Sequence, residues 1–164
     1  MNDYDDLEKN RANFVPLSPL SLISRTAALY PDRQAVVHGD RRYTWADVFS
    51  RCRQLSSGLK GLGIGRGDTV AVMAANTPEM IECHYGVAAS GGVLNTINTR
   101  LDPDTIAYIL QHGEARVLIC DTAFSTSVEA ALKSIGDSHG ITVIDIADSE
   151  NASGGTRLGK MDYE

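Results

Sequence analysis

The chain has 164 residues, of which 43% are hydrophobic and 22% charged, and this is the composition of an ordinary globular domain. Its formal charge of -6 disfavours binding to nucleic-acid phosphates, and no apolar run approaches the ~18 residues of a membrane-spanning helix. The acidic first residues lack the cationic flank and apolar stretch of a secretory signal, so we expect a cytoplasmic location.

The cysteines and histidines show no metal-ligand spacing. The three cysteines lie far apart inside apolar patterns, which predicts buried free thiols rather than a disulfide framework. The four histidines are equally scattered, and we therefore expect no metal site. His84 falls within an apolar helical pattern, which predicts a hydrogen-bonded core histidine rather than a catalyst.

The first elements are two helices flanking a hairpin. Residues 1–17 are expected to form an N-terminal extension. Ser18 and Pro19 then begin a helix that Pro31 stops. Short strands at 34–37 and 42–44 flank a glycine-containing turn, which predicts a β-hairpin. Thr44 opens a second helix through a capping box, and its apolar positions recur at helical spacing as far as residue 62.

Four glycines between residues 61 and 67 pose the question of a phosphate-binding loop. In a dinucleotide fingerprint, the glycines follow a strand and open a helix, whose free N–H groups hold the anion. Here they follow a helix and precede a strand. Carbonyl groups crowd a helix C-terminus and repel phosphate, so we interpret the loop as a tight connection from helix to strand.

The remaining pattern alternates strands and helices. Strands are expected at 69–73, 93–97, 115–120 and 141–146, with helices at 78–90, from Asp102 to Gly113, and at 122–135. Such alternation implies a mostly parallel sheet with helices on both faces. We therefore predict an α/β fold, a three-layer α/β/α subdomain over residues 18–146 that includes the hairpin.

Residues 147–164 change to a polar, glycine-rich composition without periodicity, which predicts a flexible linker or truncated tail. Within it, residues 154–160 match a P-loop pattern, but Met161 stands where the magnesium-binding Ser or Thr belongs. No helix is expected to follow, so a working P-loop is disfavoured.

Three segments carry a resemblance to a known family. Residues 43–48, 61–79 and 91–101, in this order, resemble the beginning of the adenylate-forming enzymes. The likeness is strongest to acyl-CoA synthetases that activate short- and medium-chain fatty acids, including those that act on methylthio-propionate. It implies that the chain is an incomplete part of the large N-terminal domain of such a ligase.

The resemblance also implies a reaction. Family members join a carboxylic acid to ATP, release pyrophosphate and transfer the acyl group from AMP to CoA, with ATP, Mg and CoA as cofactors. Their phosphate loop and C-terminal domain correspond to nothing in this sequence. We therefore expect the chain to be inactive alone, to contribute no catalytic residue and to bind none of these cofactors by itself.

Arg100 is the one candidate ligand contact. The resemblance implies that the arginine in the motif at 98–101 touches the nucleotide end of CoA, since a guanidinium matches phosphate oxygens. Thr99 stands where many relatives have Pro, so the loop shape differs from theirs. The alternative is a loop arginine that bonds nearby carbonyl groups.

Two other functions stay open. A non-catalytic α/β module could associate with a partner chain, because an incomplete sheet leaves strand edges and apolar helix faces that favour partner capture or self-association. A flavodoxin-like nucleotide binder would instead use a crevice at the carboxyl ends of the strands.

Overall fold

The computed structural model describes residues 8–136, 140–148 and 155–164. Within these ranges the chain forms an antiparallel hairpin and a parallel sheet with helices on both faces. The elements in chain order are α1 (Pro19–Leu29), β1 (Gln34–His38), β2 (Arg41–Thr44), α2 (Trp45–Gly61), β3 (Thr69–Met73), α3 (Pro78–Ser90), β4 (Val93–Thr96), α4 (Pro103–His112), β5 (Ala115–Asp121), α5 (Ser125–Ile135), β6 (Thr142–Ile146) and β7 (Met161–Asp162).

The sheet has five parallel strands in the order β4-β3-β5-β6-β7, and the hairpin β1-β2 stands apart from it. Alternate residues of β3 serve two cores: Val70 and Val72 pack on one face, Ala71 and Met73 on the other. The first face is covered by α2 and α3, the second by α4 and α5. The expected three-layer α/β/α architecture is therefore confirmed.

Local sequence signals explain where the helices begin. Thr44 accepts a hydrogen bond from the N–H of Asp47, and the Asp47 carboxylate accepts one from the Thr44 N–H, which completes the expected capping box of α2. Asp102 caps α4 by accepting from the N–H of Thr105 at 3.0 Å. Both contacts lie within one helical turn, so the sequence alone predicts them.

The crossover from β6 to β7 contains an extended strap at residues 155–160. A Cβ on Gly159 would lie 2.1 Å from the carbonyl oxygen of Val143, so only glycine fits this approach. Leu158 packs against the core formed with α4 and α5. The sequence pattern predicts no strand after residue 146. The strand β7 was missed because it is only two residues long and therefore shows no periodicity.

None of the helices in the described part of the chain combines the length and apolar character that crossing a bilayer requires. The three cysteines are free and buried, as predicted. His84 is exposed on α3, and its Nδ1 lies 2.7 Å from the carbonyl oxygen of Met80. The expectation of a core histidine is therefore wrong. The buried face of α3 carries Glu79 and Glu82 instead.

Candidate functional site

The glycine loop after α2 lies at the amino end of the sheet. Gly63 and Gly67 have φ angles of 79° and 91°, the left-handed values that turn the chain from helix into strand. The Asp68 carboxylate accepts the N–H of Gly65 at 2.8 Å and pairs with Arg116 at 2.8 Å. The Gly65 N–H is thus already bound by an internal carboxylate, and the loop connects helix to strand as interpreted from the sequence.

The P-loop-like stretch at residues 154–160 also donates backbone hydrogen bonds to an internal carboxylate. Asp145, buried in β6, accepts the N–H groups of Leu158 at 3.0 Å and Gly159 at 2.8 Å. The N–H of Thr156 donates to the hydroxyl of Ser125 at 3.0 Å. Gly154, the first glycine of the pattern, lies outside the described residues. Three backbone donors of this stretch therefore hold the strap instead of facing a phosphate.

The sheet order places a topological switch point between β3 and β5, which is the strand order of flavodoxin-like folds. Three acidic side chains, those of Glu79, Asp121 and Asp148, lie close to one another near the carboxyl end of β5. Burial raises the pKa of Asp121, and the charges of Asp148 and Glu79 raise it further, against a hydrogen bond from the Ala123 N–H. Acidic groups here disfavour a phosphate at the position that flavodoxin-like binders use.

Two side chains of the hairpin contact these acidic groups. Arg41 donates to Glu79 and lies 3.4 Å from Asp148, while His38 Nε2 lies 2.9 Å from the same Asp148. Three buried oxygens have no hydrogen-bond partner among the described residues: Thr77 Oγ1, Glu79 Oε2 and Asp121 Oδ2. No group of His, Cys, Asp and Glu in the described ranges has the arrangement of a metal site.

A second ion-pair network lies one turn further along α3. Glu82 is 1% exposed, accepts from Arg51 Nε at 2.5 Å and accepts from the Tyr163 hydroxyl at 2.8 Å. The two remaining nitrogens of Arg51 bind Glu164 at 3.0 and 2.5 Å. Burial raises the pKa of Glu82, and the bonds from Arg51 and Tyr163 oppose that shift. The network fastens α2 and α3 to the residues that follow β7.

A groove runs between α2 and β7, and we call it the α2–β7 groove. Its volume is about 430 Å³, and its walls are mainly apolar. Leu55 and Gly58 of α2 line it together with Leu62, the residue after α2, and Met161 and Tyr163 line it from the strand side. The ion-paired side chains of Arg51 and Glu82 also line it.

Arg100 lies in the loop after β4. Its N–H donates to the side chain of Asn98 at 2.9 Å, which forms a tight local turn, and the residue is exposed. The position leaves the guanidinium accessible to a ligand. Its role in binding CoA stays a prediction.

Both glycine-rich segments give backbone donors to internal carboxylates, and acidic side chains lie together near the carboxyl end of β5. The buried glutamates of α3 are the polar residues that sequence reasoning missed. Their spacing of three residues on an otherwise apolar helix was the available signal, because it places both on one face.

Comparison with known proteins identifies relatives over most of the chain. The sequence model of the family described as "AMP-binding enzyme" matches residues 23–161. A peroxisomal acetate/butyrate–CoA ligase of Arabidopsis thaliana is 44% identical over 131 residues, which is 80% of this chain and 23% of the relative. An acetate–CoA ligase of Humulus lupulus is 45% identical over the same shares of the two chains.

Solved structures agree on the fold. An anthranilate CoA ligase in complex with anthranoyl-AMP superposes with a TM-score of 0.77 at 24% identity, covering 88% of this chain and 26% of that one. A putative long-chain-fatty-acid CoA ligase from Rhodopseudomonas palustris gives 0.75 at 32% identity, covering 90% and 35%. The chain spans about a quarter of the length of the curated ligases it matches.

Proposed function

Because this chain belongs to the AMP-binding enzyme family, we propose that it forms the N-terminal portion of an ATP-dependent acyl-CoA ligase. The whole enzyme joins a carboxylic acid to ATP with release of pyrophosphate, then transfers the acyl group from AMP to the thiol of CoA. ATP, Mg and CoA are its cofactors. The observation that carries the proposal is the family match over residues 23–161, together with 45% identity to an acetate–CoA ligase.

The proposed substrate is a short- or medium-chain fatty acid, or methylthio-propionate. The names of the two curated relatives, which mention acetate and butyrate, support a short acyl chain. The proposed role is in fatty acid metabolism and the proposed location is the cytoplasm, although one of these relatives is described as peroxisomal.

The isolated 164 residues are proposed to be inactive and to bind none of the three cofactors. Rate acceleration in phosphoryl and acyl transfer comes mainly from groups positioned around the reacting atoms. Here the backbone N–H groups of Gly65, Leu158 and Gly159 are committed to internal carboxylates. These bonds support the proposal that the phosphate-binding groups of the whole enzyme come from other residues.

The proposed organisation is an extension at 1–17, an α/β subdomain at 18–146 and a linker or tail at 147–164, whose residues 161–162 add strand β7 to the sheet. Arg100 is proposed to contact the nucleotide end of CoA in the whole enzyme. Its exposure and the tight turn at Asn98, which fixes the backbone but leaves the guanidinium free to reach, support this role.

A chimera tests the proposal. This chain replaces the matched segment of the Humulus lupulus ligase, and pyrophosphate release is measured with ATP, CoA and a panel of acids. We expect acid-dependent release from the chimera and none from the free chain. A chimera that melts cooperatively but releases no pyrophosphate contradicts the ligase proposal, and release by the free chain contradicts its inactivity.

The same chimera tests Arg100. Arg100→Ala removes the guanidinium and is expected to raise the KM for CoA at least about tenfold, while the KM for ATP stays within twofold. Arg42→Ala, which removes another exposed arginine, serves as the matched control. Equal effects of the two substitutions on the KM for CoA contradict the assignment.

A second candidate function is a non-catalytic module that associates with a partner chain. The α2–β7 groove favours it, because apolar walls of this kind are usually covered by another polypeptide.

A further inference from the structure

We propose that Asp121 is a pH-sensitive switch for the hairpin. It takes up a proton in mildly acidic solution, and the loss of its charge stabilises the contacts that hold β1 and β2 against α3 and the residues after β6. The inference goes beyond the proposed ligase function, because every group involved lies within these 164 residues and no substrate takes part.

Asp121 differs from Asp145 in its hydrogen bonds, although both are 1% exposed and lie on the neighbouring strands β5 and β6. Each carboxylate oxygen of Asp145 accepts a backbone N–H, at 3.0 and 2.8 Å. In Asp121, Oδ1 accepts the N–H of Ala123 at 2.9 Å, and Oδ2 has no hydrogen-bond partner among the described residues. A buried charged oxygen without a donor is costly. A proton on Oδ2 removes the charge and turns this oxygen into a donor.

Two carboxylates add to the cost of a charge on Asp121. Glu79 acts on it from α3 and Asp148 from the segment after β6, and their side chains are 4% and 3% exposed. Burial raises the pKa of Asp121, the two charges raise it further, and hydrogen bonds from the N–H groups of Ala123 and Ala75 oppose the shift. Glu79 Oε2 is itself a buried acceptor that lacks a partner in the described part of the chain.

The cations beside these carboxylates come from the hairpin. Arg41 of β2 donates to Glu79 and lies 3.4 Å from Asp148, while Nε2 of His38 in β1 lies 2.9 Å from Asp148. Within the described ranges neither cation forms an ion pair with Asp121. A charge on Asp121 therefore repels the two carboxylates that bind the hairpin, and protonation of Asp121 relieves that repulsion.

The remaining neighbours of Asp121 do not offset this effect. β6 places the apolar Ile146 opposite it, and Asp145, one residue earlier, is bound to the strap. Cys120, which precedes Asp121, is a buried thiol whose pKa burial raises to about 12, so it is neutral. The pKa of Asp121 is raised above 3.8 in the folded chain. Its contribution to stability therefore grows as the pH falls through the folded-state pKa, and is fully present below 3.8.

Amide hydrogen exchange in the hairpin tests the switch. Exchange rates of β1 and β2 are measured by NMR at pH 7 and pH 5 in the 164-residue chain and corrected for the intrinsic rates. We expect protection to increase at least about threefold at pH 5. Asp121→Asn, which keeps the size of the side chain without its charge, should show the same high protection at both pH values. Asp40→Asn, which removes an exposed carboxyl group from the hairpin turn, is the matched control and should respond like the wild-type chain.

A second variant separates the contribution of histidine, because imidazole groups also titrate in this pH range. The pH response is expected to persist in His38→Gln and to be absent from Asp121→Asn. Equal responses of the wild-type chain and Asp121→Asn overturn the proposal. Loss of the response in His38→Gln overturns it too, as does a wild-type hairpin whose protection does not change with pH.

Two measurements do not depend on exchange in the hairpin. Carbon-13 NMR of the aspartate carboxyl groups follows protonation directly, and a midpoint for Asp121 at or below 3.8 overturns the proposal. In urea unfolding at pH 7, Asp121→Asn is expected to keep the wild-type midpoint, because its amide donates as the neutral acid does, whereas Asp145→Asn lowers the midpoint. An equal fall in both variants, or failure of Asp121→Asn to fold, contradicts the switch.

Discussion

The hydrogen bonds of Asp145 allow a quantitative test of how the strap is held. Asp145 is 1% exposed in β6, and its two carboxylate oxygens accept separately from Leu158 and Gly159. Asp145→Asn keeps the size of the side chain but puts an amide NH2 group where one backbone N–H needs an acceptor. One of the two hydrogen bonds is therefore lost, and a donor faces a donor.

The expected cost follows from the strength of such bonds. A hydrogen bond to a charged group contributes about 1.5–3 kcal/mol, and an unsatisfied buried donor costs about 1–3 kcal/mol. Loss of one bond of the pair is therefore expected to lower the free energy of unfolding by about 2 kcal/mol. Domains of this kind are stable by about 5–15 kcal/mol, so the variant still folds and can be measured.

Urea unfolding followed by circular dichroism measures the loss, with exposed Asp32→Asn as the control. Amide hydrogen exchange measures the local effect, and faster exchange is expected at Leu158 and Gly159. A loss below about 0.5 kcal/mol, the size of an ordinary surface substitution, would refute the reasoning. Unchanged exchange at both amides would refute it as well.

Three other predictions concern packing, charge and thiol reactivity. Gly86→Ala is expected to destabilise by about 1–3 kcal/mol in urea unfolding, because its Cβ would meet Leu55; unchanged stability contradicts this. The hydrogen bond from Arg116 lowers the pKa of Asp68 below 3.8. The Asp68 carboxylate therefore stabilises the fold above that pH, and this stabilisation is lost as the pH falls through the folded-state pKa of Asp68. Asp68→Asn should flatten this acid limb, and superimposable pH profiles would disprove the effect. Burial raises the pKa of each native thiol, those of Cys52, Cys83 and Cys120, to about 12. At pH 8 a disulfide reagent should therefore react at least about 100-fold faster with the chain unfolded in urea than with the folded chain.

Elements with local signals were predicted well from the sequence. The starts of α2 and α4 depend on Thr44 with Asp47 and on Asp102 with Thr105, and each pair lies within three residues. The glycine loop between α2 and β3 was interpreted correctly for the same reason, because the order of helix, glycine and strand fixes which backbone groups face it.

Features that depend on distant partners were missed. Glu79 and Glu82 are buried because Arg41 and Arg51 reach them from β2 and α2, 38 and 31 residues earlier in the chain. Without those partners a glutamate is expected to face solvent, and His84 was the favoured polar residue for the core. β7 depends likewise on β6 and on the carboxylate of Asp145.

The sequence by itself determined the alternation of strands and helices, and with it the parallel three-layer fold and the family resemblance, because these depend on periodicity and on contacts within a few residues. Tertiary structure alone decided which carboxylates are buried, which backbone N–H groups are already bound and where an uncovered groove lies. The physical reason is that a buried charge or an occupied N–H group depends on a partner that only the folded chain brings within hydrogen-bonding distance.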